Sequence, residues 1–249
     1  MEWKPMREEP GIRQILLITD GCSNVGTDPV YVAQCARARG MTTSVIGILD
    51  EGSLGEQGRR EAQNIAEAGG GICRLVQAHD LSQTMQMVTR QTMQLTLHHV
   101  VNAELRQLVG ETSDGLPPET RTKVARFVET MTDEIELTIA LVLDASASMQ
   151  SKMAAVRESV RDLEFGLSAR RGAYELIVVT YPGARGEAVD LVRQRDFAGG
   201  LADYIGSLRP SGNTPTGPAL EAAMSELLRD RRMDALNDGR SGDVRNHVV

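Results

Sequence analysis

The sequence predicts an α/β fold in which a doubly wound, mostly parallel sheet is flanked by helices. The first observation is that short apolar runs alternate with segments of helical periodicity in both halves of the 249-residue chain. The second is that residues 14–19 and 137–144 consist mainly of strand-forming apolar residues, as in strands buried on both faces. The third is that these two runs lead directly into aspartates, Asp20 and Asp144. Strands that alternate with helices imply right-handed crossovers and a Rossmann-like sheet.

The first half of the chain has the pattern β-α-β-α-β-α. A helix should begin at Asp28 and Pro29, an acidic N-cap followed by proline in the first turn, and end at Gly40. Further strands are predicted at 42–49 and 72–77, with a helix at 59–68 that the glycines 69–71 terminate. Asp80 then caps a long helix that extends towards Leu108, with an apolar row of Leu81, Met85, Val88 and Leu95.

The second half begins after residues 110–136, which read as a linker rich in glycine, proline and charge with a short helix at 123–131. A buried strand at 137–144 is followed by a helix with apolar residues spaced three and four apart. The remaining predictions are a buried strand from 174, a polar edge strand at 187–192, a short helix at 197–208, a helix carrying Leu220 to Leu227, and a charged, disordered tail at 229–249.

Composition excludes several classes of function. The formal net charge of -7 argues against nucleic acid as a partner and provides no basic patch for a membrane. The first residues contain no apolar core of a signal peptide, and no apolar run is long enough to span a bilayer. The three cysteines lack metal-binding spacing, so we expect reduced thiols and a cytoplasmic location.

Oxygen-bearing side chains lie in three loops next to predicted strands and helices. Asp144, Ser146 and Ser148 alternate in the sequence DASAS at the end of a strand, and could converge on a hard cation. The same residue types are also common in helix caps and turns. Thr214 precedes a later helix, and Asp20 follows the first strand, so a parallel sheet would bring all three segments to its carboxyl edge. An all-oxygen set favours Mg²⁺, Mn²⁺ or Ca²⁺ over zinc.

The segments LVLDASASM, SGNTPTG and LLITDG resemble the metal-ion-dependent adhesion site (MIDAS) of von Willebrand factor type A (VWA) domains. The resemblance assigns metal ligation to Asp144, Ser146, Ser148, Thr214 and Asp20, with Thr216 a weaker alternative to Thr214. It also implies the VWA fold over nearly all of the chain except the linker and the tail.

The order of the segments departs from the family pattern, in which DxSxS comes first and TDG last. Each half of the chain contains what the other half lacks, and two incomplete domains would expose bare sheet edges. We therefore interpret residues 1–249 as one circularly permuted domain, in which 14–108 correspond to the family's C-terminal half and 137–228 to its N-terminal half, joined by 110–136. An exchange of halves between two chains would make the same pairing in a homodimer.

The resemblance implies a protein-interaction module rather than an enzyme. A divalent cation, Mg²⁺ or else Mn²⁺ or Ca²⁺, would accept an Asp or Glu side chain from a partner protein. Two alternatives are a metal-dependent phosphatase or phosphotransferase and a scaffold with a vestigial metal site. The first is disfavoured because Ser146 stands where a haloacid-dehalogenase-like enzyme needs a second aspartate, and because the chain has no P-loop motif.

Overall fold

The computed structural model describes residues 11–49, 55–183, 189–193 and 200–241. Their strands are β1 (Ile12–Thr19), β2 (Thr42–Leu49), β3 (Gly70–Gln77), β4 (Leu137–Asp144), β5 (Tyr174–Tyr181) and β6 (Asp190–Arg193). Their helices are α1 (Pro29–Arg37), α2 (Glu56–Ala68), α3 (Leu81–Val109), α4 (Pro118–Glu134), α5 (Met153–Ser168), α6 (Leu201–Ser207) and α7 (Thr216–Ser241). No helix in these ranges is both long and apolar enough to cross a membrane.

All six strands form one sheet in the order β3-β2-β1-β4-β5-β6. The first five are mutually parallel, and β6 pairs antiparallel with β5 at the edge. The centre of the sheet is the pair β1 and β4, which runs in register from Ile12 against Leu137 to Ile18 against Leu143. Strands from opposite halves of the chain therefore lie side by side within one molecule. Between them the winding direction reverses, which is where doubly wound sheets place their ligands.

Helices cover both faces of the sheet, so the predicted doubly wound architecture is confirmed. Alternate residues of β1 face opposite cores, with Leu16 and Ile18 on one side and Ile15 and Leu17 on the other. The first core is closed by side chains of α3, α4, α5 and α6: Leu81, Val128, Val156 and Ile205. The second is closed by α1, α2 and α7 through Val32, Ile65 and Leu220. Burial on both faces explains why β1 and β4 are almost continuously apolar.

The predicted linker is mostly helical. Helix α4 occupies Pro118–Glu134, not only residues 123–131, and it packs along α3 with Val128 and Thr132 buried. Pro118 starts this helix at a position where a missing amide hydrogen costs nothing. Helix α7 also continues through Ser241, where the sequence predicted a disordered tail from 229; residues 242–249 lie outside the described part of the chain.

Three smaller predictions needed correction. β3 begins at Gly70, so the glycines after α2 enter the sheet; a Cβ on Gly71 would lie 2.2 Å from the Thr43 carbonyl oxygen. Asp80 precedes α3 without a capping hydrogen bond from its side chain. Leu95 is 39% exposed, and the apolar row of α3 continues through Met93 instead.

The short edge strand is confirmed at Asp190–Arg193, although residues 187 and 188 of the predicted run lie outside the described ranges. Arg193 anchors it to the rest of the molecule. Its buried guanidinium contacts Glu175 at 2.9 Å and donates from Nε to Glu226 of α7 at 2.7 Å. This network fixes the edge of the sheet beside β5, whose last residue, Tyr181, lies next to the candidate site.

Candidate metal centre

The carboxyl ends of β1 and β4 bring the two predicted aspartates together. Asp144 is the last residue of β4, and Asp20 directly follows β1. Both are fully buried. Because Ile18 pairs with Leu143, the backbones carrying these carboxylates are neighbours in the sheet, about 5 Å apart. The two aspartates are thus the acidic part of one cluster within a single chain.

Two neighbours hold the Asp144 carboxylate. The Thr19 hydroxyl donates to Oδ2 at 2.7 Å from the adjacent strand, and the Ser146 amide donates to Oδ1 at 2.9 Å within the same loop. Burial nevertheless raises the pKa of Asp144 to about 6, because the hydrogen bonds from Ser146 and Thr19 offset only part of the desolvation and the charge of Asp20 adds to it. Asp144 is a buried acid with an incompletely compensated negative charge.

A different set of donors holds Asp20. The Ser148 hydroxyl donates to Oδ1 at 2.7 Å, and the Lys152 ammonium donates to Oδ2 at 2.6 Å. The Lys152 side chain is 4% exposed and the Asp20 side chain is completely enclosed, so this ion pair is internal. Lys152 also donates to the Ser148 carbonyl at 3.2 Å, which fixes its position beside the DASAS loop.

The two serine hydroxyls of the DASAS loop connect the aspartates. Oγ of Ser146 lies 3.2 Å from Oγ of Ser148. Ser146 is buried, whereas Ser148 is exposed. The loop continues as a 3-10 turn, Ala147–Ser151, which positions Ser148 above Asp20 before α5 begins. The cluster is therefore closed at Asp144 and open to solvent at Ser148.

Thr214 lies on the adjoining loop and is anchored there by its backbone. Its amide donates to Oδ1 of Asn24 at 2.9 Å, and its carbonyl accepts from the Asn24 amide at 3.2 Å. The same loop contacts the DASAS segment where the Ser211 amide donates to the Ala145 carbonyl at 2.9 Å. Within the described residues the Thr214 hydroxyl is not part of the hydrogen-bonded cluster. The structure thus joins four predicted ligands directly and places the fifth on a contacting loop.

Glycines allow the first turn of α7, directly after Thr214, to approach the β1–α1 loop closely. A Cβ on Gly217 would lie 1.8 Å from the Thr27 carbonyl oxygen. Gly26 has a φ of +93°, and a Cβ there would lie 2.5 Å from Pro218. The first turn of α7 and the β1–α1 loop can therefore contact each other in this way only with glycine at both positions.

Tyr181, the last residue of β5, lies directly beside Asp144, because the two residues are paired between β5 and β4. It is fully buried. Burial raises its pKa well above 10, and the charge of Asp144 raises it further, while the neighbouring Thr216 and Thr19 hydroxyls act in the opposite direction. Tyr181 is thus a neutral phenol at the base of the cluster.

The residues present fit a hard divalent cation. Asp20 is neutralised by Lys152, whereas Asp144 carries a buried charge that no cationic side chain of the cluster balances. A cation beside Asp144 and the serine hydroxyls would supply that balance, and hydroxyl and carboxylate oxygens are the ligands Mg²⁺ prefers. In the described residues no group of three or more His, Cys, Asp or Glu side chains could hold a metal ion, so the candidate site depends on two carboxylates together with hydroxyls.

Sequence reasoning missed Thr19, Lys152 and Tyr181. Lys152 stands four residues after Ser148, a spacing that returns its side chain to the DASAS loop, but a lysine near a helix start gives no signal of burial. Thr19 and Tyr181 become neighbours of Asp144 only through the strand order β1-β4-β5. The contacts of Thr19 and Tyr181 with Asp144 therefore follow from strand pairing across the sheet and not from any local motif.

The fold and the cluster define a doubly wound α/β protein with a carboxylate–hydroxyl site at its topological switch point. The chain belongs to the YabS family: it is 39% identical to YabS of Bacillus subtilis over 236 residues, which cover 93% of this chain and 96% of that protein. No protein-family model matches the sequence.

One solved structure supports the fold. The crystal structure of an uncharacterized protein from Alicyclobacillus acidocaldarius superimposes with a TM-score of 0.83 at 46% identity, covering 90% of this chain and 96% of that one. A proximal thread matrix protein of mussel byssus, solved with a zinc-occupied MIDAS motif, aligns at 15% identity and a TM-score of 0.23, covering 81% of this chain and 43% of that one.

Proposed function

We propose that this protein is a divalent-metal-dependent protein-interaction module. The observation that supports the proposal most strongly is the convergence of Asp20 with Asp144, Ser146 and Ser148 from segments more than a hundred residues apart. Helix capping or turn formation needs one polar side chain at a time, whereas here two buried carboxylates and two hydroxyls are in contact. The likeness of these segments to a MIDAS site agrees with that reading.

In the proposed site Ser146, Ser148 and Thr214 provide neutral oxygens and Asp144 provides the negative charge. Asp20 holds Ser148 in place through its hydrogen bond of 2.7 Å. When bound, Mg²⁺, Mn²⁺ or Ca²⁺ supplies a Lewis-acidic position that a partner's Asp or Glu can occupy. The exposure of Ser148 leaves the partner an approach to this side of the cluster. The site would then bind a partner protein without catalysing a reaction.

The arrangement of the chain is part of the proposal. Relative to VWA domains, residues 14–108 and 137–228 have exchanged their order, and α4 belongs to the new connection between them. The pairing of β1 with β4 in one molecule supports this, because it places the TDG and DxSxS segments on neighbouring strands without a second chain. A swapped homodimer is therefore not required for the cluster to form.

Capture of a partner under metal control tests the proposal. Wild-type protein on a solid support is exposed to an extract from the source cells with Mg²⁺ or with EDTA, and Ser146→Ala serves as the matched variant. We expect proteins that bind wild type with Mg²⁺ and are lost with EDTA and with Ser146→Ala. Metal binding without such a partner would leave the interaction function unsupported, and failure to bind metal would contradict the proposal at its base.

A further inference from the structure

Lys152 is a buried cationic residue of the candidate metal centre. Its ammonium is 2.6 Å from Asp20 and 3.2 Å from the Ser148 carbonyl, so it contacts both the Asp20 carboxylate and the backbone of the DASAS loop. Its side chain is 4% exposed. A lysine is costly to bury, and an Asp–Lys pair at this depth is not needed to close a turn. Its location therefore calls for an explanation within the site.

The charges of the cluster are distributed unequally. Asp20 is paired internally with Lys152, whereas Asp144 is held by the neutral Thr19 hydroxyl and the Ser146 amide. A metal ion at the cluster would therefore lie near Asp20, whose charge Lys152 balances, and near Asp144, whose charge no cationic side chain of the cluster balances. Each further anionic ligand binds the cation more tightly but reduces its attraction for an incoming carboxylate.

We infer that Lys152 is a positioning residue that neutralises Asp20, so that the bound cation keeps a strong attraction for a partner's carboxylate. This inference rests on the proposed function. It assigns the specificity of the site to a residue outside the DxSxS, threonine and aspartate segments. In this account Asp20, which accepts from Ser148 and from Lys152, positions these two residues and adds no net charge to the site.

The inference has a signature that a purely structural lysine would not produce. In Lys152→Met no ammonium balances the negative charge of Asp20. The metal ion should therefore bind more tightly, and its attraction for a further carboxylate should fall. A variant with Asp20→Asn added restores the original net charge. It should therefore return both affinities towards those of the wild type.

The experiment uses Mn²⁺ as the cation and acetate as the carboxylate probe. Calorimetry measures Mn²⁺ affinity, and water-proton relaxation of the Mn²⁺-loaded protein measures displacement of water by acetate. For Lys152→Met we expect Mn²⁺ to bind about tenfold tighter and acetate several-fold weaker, with both effects reversed by adding Asp20→Asn. Thermal unfolding of each variant confirms that it is folded, and Lys152→Gln, which also removes the charge but keeps a polar side chain, replaces Lys152→Met if that variant unfolds.

The outcomes separate this inference from the proposed function. Unchanged Mn²⁺ affinity in folded Lys152→Met, or Mn²⁺ and acetate affinities that fall together, would overturn the role of Lys152 while leaving the metal site in place. Binding of Mn²⁺ by Lys152→Met but not by wild type would contradict both, because the inference requires that the wild-type site holds the cation. Absence of Mn²⁺ binding in every variant would overturn both.

Discussion

The Thr19 hydroxyl donates a hydrogen bond of 2.7 Å to Oδ2 of Asp144 across the central strand pair, although 125 positions separate the two residues in the chain. This bond joins the two halves of the sequence at the candidate site. Both residues are buried, so water does not replace it when it is lost.

Thr19→Val should destabilise the protein by about 2 kcal/mol at pH 7, because the buried Asp144 carboxylate loses a hydroxyl donor. Urea unfolding without metal measures this cost. The cost should shrink at pH 4.5, where Asp144 is mostly protonated. An equal loss at both values would show that packing, and not the carboxylate, is affected.

The stability of the metal-free protein should depend on pH through Asp144. Its pKa is raised in the folded protein from 3.8 to about 6. Folding favours the protonated form of Asp144. The stabilisation that this protonation gives is therefore complete below about pH 3.8 and is lost as pH rises through 6. Relative to Asp144→Asn, the wild type should lose about 2.4 kcal/mol between pH 4 and pH 7.5 in EDTA. A difference that does not vary with pH would contradict the assignment.

Protons should compete with the cation for Asp144. Mg²⁺ affinity should be nearly constant above pH 7 and fall about tenfold per unit below pH 6, because the ion requires the carboxylate deprotonated. Calorimetry at pH 7.5 and 5.0 measures this. The same affinity at both values would mean that Asp144 does not participate.

Asp20→Asn should cost about 3–5 kcal/mol, because it leaves the buried Lys152 ammonium without a charged partner. Combining it with Lys152→Met should cost less than the two single changes together. Denaturant unfolding of all four proteins in EDTA gives the coupling. Strict additivity would show that the ion pair contributes nothing to folding.

Gly217→Ala should weaken both stability and Mg²⁺ binding, because the new Cβ would meet the Thr27 carbonyl oxygen at 1.8 Å and displace the loop that carries Thr214. Gly21→Ala is the matched control. It is adjacent to Asp20, but its Cβ would meet nothing within 4 Å. Thermal unfolding with and without Mg²⁺ distinguishes them, and equal behaviour of the two variants would contradict the proposed contact.

The fold could be predicted because its central strands are buried on both faces. That environment requires long apolar runs, and the runs before Asp20 and Asp144 are such runs. Helix α4 was underestimated because Pro117 and Pro118 suggest a linker, whereas Pro118 in fact starts the helix. Its buried Val128 is stabilised by packing on α3, which local sequence does not reveal.

The candidate site could be predicted only in part. Ser146, Ser148 and Asp144 belong to one local motif, so their proximity follows from the turn that the motif forms. The contact of Asp20 with Lys152 depends on strand order and on burial, neither of which the local spacing encodes. The sequence therefore indicated which residues could be ligands, but it did not indicate that the buried Lys152 ammonium pairs with Asp20.

Calorimetric titration of Mg²⁺ into metal-free protein at pH 7.5, with wild type and Ser146→Ala compared, tests the central claim most directly. Ser146 provides a hydroxyl to the cluster, and its alanine variant keeps the backbone amide that caps Asp144. We expect one Mg²⁺ per wild-type chain and at least about tenfold weaker binding by the folded variant. Binding that is absent in wild type, or unchanged in the variant, would contradict a metal centre at this cluster.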